Sequence, residues 1–128
     1  MGRKNILFIM CDQLRFDYLG CAGHPSIKTP NIDALAKRGV RFSNVYCQSP
    51  TCGPSRMSTY TGRYVSAHGS HSNHAALRIG EKNIGHHLNP LGLRTVLVGK
   101  THMVADKEGM ERLGVEEDSV IGVHHAQA

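Results

Sequence analysis

The run Asn5-Ile-Leu-Phe-Ile-Met10 constrains this chain more than any other segment. Consecutive apolar residues cannot alternate between a wet and a dry face. The run therefore reads as a strand buried on both faces, the kind found inside parallel sheets. Arg94-Thr-Val-Leu-Val98 repeats the pattern, and residues 40–45 are a further strand candidate. Helical patterns lie between them. Thr29-Pro30 suits a helix start, with Thr able to cap and Asp33 favouring the dipole. Ile32, Leu35 and Ala36 form its apolar stripe and Gly39 ends it. Cys52-Gly-Pro-Ser-Arg-Met-Ser-Thr-Tyr60, then Thr61-Gly62, predicts a short helix with its N-terminus at Cys52. Residues 20–28 read as loop, 66–83 as polar, histidine-rich and irregular, and 84–91 as helical. The alternation predicts an α/β fold, a mainly parallel sheet flanked by helices, forming part of a single domain across residues 1–128. In such sheets ligands bind beyond the carboxyl ends of the strands. Asp12 and the Lys100/His102 pair both fall at such ends.

Composition narrows the function. An apolar content of 40% with 20% charged residues excludes a disordered or low-complexity protein. No run approaches the ~18 apolar residues of a membrane span, and residues 6–11 are too short for a signal-peptide core, so a cytoplasmic address is expected. Residues 1–102 carry a net +9 and residues 103–128 a net −4. A basic segment suits an anionic ligand, although a solvated basic face reads the same way. Without a dense Lys/Arg run or interleaved aromatics, nucleic acid is not the expected partner. Cys11, Cys21, Cys47 and Cys52 form no CxxC pair, which argues against structural zinc, and three of them are expected in or near the core.

Several residues can carry chemistry. Asp12, a hard carboxylate at a strand end, suits Mg, Ca or Mn, or else caps a helix or pairs with a cation. Cys52 at a helix N-terminus reads as a thiol nucleophile or as a buried structural cysteine. Arg56 lies one helical turn away, able to face the same anion, whereas Ser58 stands where the phosphate loop of tyrosine phosphatases needs Arg. His68, His71 and His74 invite a zinc assignment, but a Gly/Ser-rich loop at that spacing does not impose tetrahedral geometry. Lys100 and His102, two apart on an extended segment, point to one side and form either an anion clamp or a surface pair.

Taken together, Cys52-Gly-Pro-Ser-Arg56 and Thr61-Gly62-Arg63 resemble the sulfatase signature C-x-P-S-R with its downstream TGR. Residues 5–12 resemble the family's first strand and metal Asp, residues 20–33 its G-x-x-G-H-P…TPN-x-D segment, and Gly99-Lys-Thr-His102 its G-K-x-H motif. The resemblance runs in family order from about residue 5 to 102 and implies an alkaline-phosphatase-superfamily fold. It implies that a maturation enzyme oxidises Cys52 to formylglycine, whose hydrate is nucleophile and metal ligand. Asp12 would ligate a divalent cation, Ca foremost with Mg or Mn as alternatives. Arg56 would steady the hydrate, Lys100 would contact hydrate and sulfate, and His102 would orient a hydroxyl and take its proton. Many sulfatases have a second Asp where this chain has Gln13. That form resembles the branch holding phosphonate monoester hydrolases and some choline and glycan sulfatases. Gln13 and Asn73 are accordingly carried over as substrate contacts. The implied activity is hydrolysis of a sulfate ester of a small molecule or glycan. The alternatives are a phosphonate or phosphate ester hydrolase and a non-catalytic truncated product. Family members are several times longer, with further metal ligands downstream. Residues 1–128 are therefore expected to be the N-terminal part of the domain and, alone, to bind metal weakly without turnover.

Overall fold

A helix closes its backbone hydrogen bonds within one segment, whereas a strand needs a neighbour that is remote in sequence. That difference separates what forms here from what does not. The computed structural model describes residues 5–103 and the backbone of residues 120–121. Two compact units divide at Val45 and Tyr46.

In the first unit, helix α1 spans Pro30–Arg38, with Pro30 in its first turn and Lys37 and Arg38 in its last. The expected Thr29 cap is not made. Its hydroxyl instead accepts from Gly20 N–H (2.8 Å) and donates to Asp33 Oδ1 (2.8 Å). Asp33 Oδ1 also accepts from Cys21 N–H (2.7 Å). A side chain at Gly20 would strike the Asp33 carboxylate, 2.4 Å from Oδ2. These bonds hold Asp33 below the usual carboxylate range, the Thr29 hydroxyl contributing most. The 20–33 motif thus folds its own loop onto α1. His24 Nδ1 helps by accepting from Ile27 N–H (2.9 Å).

The apolar runs of this unit depart from expectation. Residues 5–10 and 40–45 form no strand among the described residues, and Ile6, Leu7, Phe8, Ile9, Val40, Phe42 and Val45 are exposed. Ile32 and Leu35, the stripe of α1, are exposed too. Extended apolar segments gain burial only when other strands and helices cover them, and no described segment pairs with these. The cysteine expectation fails for the same reason. Cys11 and Cys47 are exposed and Cys21 is half-buried, all four thiols being free.

In the second unit, α2 spans Cys52–Thr61 and ends at Gly62, whose φ of 68° is the left-handed stop expected there. Helix α3, Val65–His68, is a short turn within the stretch read as irregular. Helix α4, Ile84–Leu88, continues into a 3-10 turn over Asn89–Leu91. Asn83 caps α4, its Oδ1 accepting from Gly85 N–H (3.0 Å). Strand β1, Leu97–Val98, pairs in parallel with β2, Val120–Ile121, Leu97 opposite Val120. It is shorter than the predicted strand over residues 94–98, and Val96 and Val98 are exposed. The core is small: Met57 of α2, Leu77 and Met103, with Tyr60 packed against them. Among the described residues no helix is long and apolar enough to cross a membrane.

Candidate active site

Helix α2 organises the second unit's candidate residues. Gly53, Pro54, Arg56, Met57 and Ser58 are buried. Met57 anchors the helix in the core, which leaves Cys52, half-buried, at the first helical position. The first turn of a helix presents N–H groups and partial positive charge. Pro54 has no N–H, Ser55 N–H donates to Thr51 O (3.0 Å), and Thr51 makes no side-chain cap. The cap arrives from elsewhere. Asn73 Oδ1, 20 positions downstream, accepts from Gly53 N–H at 2.8 Å. Only oxygen can accept there, so the amide orientation is set, with Nδ2 as its donor end. Such an approach favours glycine. A Cβ on residue 53 would lie 3.0 Å from Asn73 Oδ1, 3.2 Å from Asn73 Cα and 3.4 Å from Ser72 O.

Arg56 joins α2 to the Gly99-Lys-Thr-His102 segment. Its side chain is buried in a residue only 6% exposed, and Nη1 donates to the backbone carbonyl of Lys100 at 2.7 Å. Tyr60 Oη reaches the same carbonyl at 3.5 Å. This positioning contact was missed in the sequence, because nothing in a one-turn spacing announces a bond to a carbonyl 44 residues away. Thr101 and Met103 are buried, and Lys100 and His102 are half-buried. Gly99 at φ 98° and His102 at φ 53° are both left-handed. The segment is therefore not extended throughout, and strand alternation does not put Lys100 and His102 on one side as expected. A left-handed His costs about 1–2 kcal/mol and persists only where surrounding contacts hold it.

Behind the helix, His68 is fully buried. Its Nδ1 accepts from Ser70 N–H (3.2 Å), so in the neutral ring Nε2 carries the proton and donates to Ser58 Oγ (2.9 Å). Burial, with Arg63 and Arg78 adding to it, holds this imidazole below the usual histidine range, against the pull of Glu81. His68 is thus committed to the protein interior rather than to a metal, and His71 pairs with Gly69 O (3.0 Å). Arg63 of the TGR triplet is structural here, its Nη1 donating to Glu81 Oε1 at 2.6 Å.

Asp12 and Gln13 belong to the first unit. Both are exposed in a turn, and Gln13 has a left-handed φ of 51°. It shares that conformation with His102; these are the only non-glycine residues with positive φ among the described residues. A cleft of about 470 Å³ in the same unit is lined by Gly20, Cys21, Asp33, Ala36, Lys37 and Arg41, with neither Asp12 nor Gln13 in its wall. Among the described residues no group of three or more His, Cys, Asp or Glu side chains is arranged to hold a metal.

The family model described as Sulfatase matches residues 4–127. That extends beyond the region of motif resemblance at its C-terminal end. An ulvan-active sulfatase of Formosa agariphila is 39% identical over 102 residues, covering 79% of this chain and 20% of that protein. Among solved structures, Ps i-CgsB superposes with a TM-score of 0.75 at 36% identity over 82% of this chain and 25% of the other. The phosphonate monoester hydrolase of Agrobacterium radiobacter gives 0.72 at 30% identity over 88% and 24%. The chain spans about a fifth of the length of the curated relatives it matches.

Proposed function

Because this chain belongs to the sulfatase family, we propose that the intact protein is a sulfuric ester hydrolase whose nucleophile derives from Cys52. The observation that carries this reading is the meeting of three motif segments on α2. Cys52 opens the helix, Asn73 caps its second residue, and Arg56 ties it to the segment of Lys100 and His102. The proposed maturation converts Cys52 to formylglycine through a formylglycine-generating or sulfatase-maturating partner. As a hydrate, that group supplies two hydroxyls on one carbon, one to attack sulfur and one to allow sulfate to leave. A plain thiol offers neither the second hydroxyl nor that release.

The remaining roles follow from charge. A sulfate ester is an anion whose transition state gains negative charge on oxygen, so fixed cations lower the barrier. Arg56, buried and hydrogen-bonded, contributes a cation that needs no reorganisation. Lys100 would bind the sulfate oxygens, with Asn73 and Gln13 as further contacts, and His102 would accept a proton from the nucleophile. Asp12 would be one ligand of a divalent cation, Ca foremost with Mg or Mn as alternatives. Asp12 and residue 52 by themselves fall short of the roughly six to eight oxygens that Ca takes. The described residues therefore do not complete a site, and no step here depends on the ion.

A second reading has specific support. Gln13 beside Asp12, Asn73 at the helix start and the likeness to a phosphonate monoester hydrolase favour a phosphonate or phosphate ester substrate of the same tetrahedral shape. The test is a panel of aryl sulfate, aryl phosphonate and phosphodiester given to the full-length protein produced with its maturation partner. Preferred turnover of the sulfate is expected, lost in Cys52→Ala. Full turnover by that variant would sink the mechanism, and preference for the phosphonate would establish the second reading.

A further inference from the structure

Building on the reading of Asn73 as a substrate contact, we propose that His68 is a positioning residue, one that bolts the loop carrying Asn73 to helix α2 and so sets that amide beside Cys52. Two bonds attach the loop to the helix: His68 Nε2–H to Ser58 Oγ at 2.9 Å, and Gly53 N–H to Asn73 Oδ1 at 2.8 Å. On the helix these anchors are five residues apart, about 7–8 Å along the axis. On the loop they are also five residues apart, so the loop runs back along α2 from its middle to its N-terminus. Internal bonds stiffen the span. Ser70 N–H donates to His68 Nδ1 (3.2 Å), Ser70 Oγ to Ala75 O (2.7 Å), and Arg78 N–H to His68 O (2.9 Å).

The imidazole suits this work because both of its nitrogens are used, one as acceptor for the loop and one as donor to the helix. Ser58 is itself buried, next in sequence to the core residue Met57 on α2, so the anchor sits on a well-held part of the helix. Without the His68 bond the loop would keep only the Asn73 bond and the packing of Leu77 in the core with Met57, which leaves residues 68–73 free to shift and the amide able to swing away from residue 52. A histidine that merely filled space would leave Asn73 unaffected.

The test uses the matured full-length protein and the variants His68→Ala, Ser58→Ala, Asn73→Ala and the two doubles with Asn73→Ala. Asn73→Ala should lower kcat/KM on the preferred ester by about ten- to a hundredfold, the range for a hydrogen bond to a charged group. Each anchor variant should lower it comparably, and each double should fall no further than Asn73→Ala alone. Losses that multiply in the doubles would overturn the proposal. Ser58→Ala keeps the imidazole packing and covers the case in which His68→Ala does not fold. A second readout does not need turnover. Hydrogen exchange of the peptide containing Gly53 should quicken about tenfold in Ser58→Ala, and unchanged exchange would also overturn the proposal. Should the wild type turn over no ester in the panel, the functional reading fails while the exchange result still decides the positioning claim.

Discussion

Replacing Gly53 by Ala sets two known effects against each other, and the structure decides the sign. Within a helix the change should stabilise by up to about 1 kcal/mol, since Gly is the poorer helix former. Here the added Cβ would lie 3.0 Å from Asn73 Oδ1, 3.2 Å from Asn73 Cα and 3.4 Å from Ser72 O. The first contact is a side-chain atom able to rotate away, at the loss of the Gly53 N–H bond, about 1 kcal/mol for a helix cap. The contact with Asn73 Cα is tight and with backbone, so relief requires the loop to shift, and overpacking of this kind costs about 1–3 kcal/mol, whereas Ser72 O at 3.4 Å is ordinary contact. The propensity gain is also smaller than its interior value, because Gly53 sits in the first turn. The balance is net destabilisation of about 1–3 kcal/mol, with Asn73 displaced. Urea denaturation of the full-length variant, followed by kcat/KM on the preferred ester, measures both consequences. A Gly53→Ala protein as stable as wild type and equally active would refute the reasoning, because it would mean that the loop does not close on the helix.

Three further outcomes follow from the same geometry. Arg56→Lys keeps a charge but shortens the side chain and removes the planar Nη1 donor that meets the Lys100 carbonyl, so kcat should fall about ten- to a hundredfold with turnover as the readout; wild-type kcat would show that the 2.7 Å bond does not matter. His102→Gly should be more stable than His102→Ala by about 1 kcal/mol, because only Gly relieves the φ of 53°, and equal thermal midpoints would contradict that. His68 holds its proton less tightly when folded than when unfolded, where its value is near 6.5. Below that pH the unfolded chain binds the proton first, so stability should decline as pH falls from about 6.5. Urea midpoints across that range should fall less steeply in His68→Gln, with His86, also held low by burial, supplying a residual slope.

Helices were legible in the sequence because their signals are local. Pro30 and Pro54, with no N–H to lose in a first turn, and Gly62, in the left-handed conformation glycine favours, marked bounds of α1 and α2, while Gly39 ended α1 in ordinary extended backbone. Cys52 was correctly placed at a helix start for the same reason. The strands were not legible to the same degree. Residues 5–10 and 40–45 have strand-forming side chains, yet a strand exists only when a remote segment supplies hydrogen bonds and cover. Only β1 finds such a partner among the described residues, in β2. The histidines show a different gap. The spacing of His68, His71 and His74 suggested a metal, but nothing local distinguishes a ligand from a buried imidazole held by Ser58 and Ser70.

By itself, then, the sequence determined the family motifs, the place of Cys52 and the helix that it opens, all matters of residue type and short-range conformation. Tertiary structure alone decided what surrounds that helix. Asn73 caps it across 20 residues, Arg56 reaches Lys100 across 44, and Ser58 meets His68 across 10. Each of these bonds depends on loop closure and on complementary shape, as with the missing side chain at Gly53. Such contacts are set by the packing of the whole unit, because the free energy that closes a loop comes from every group it brings together.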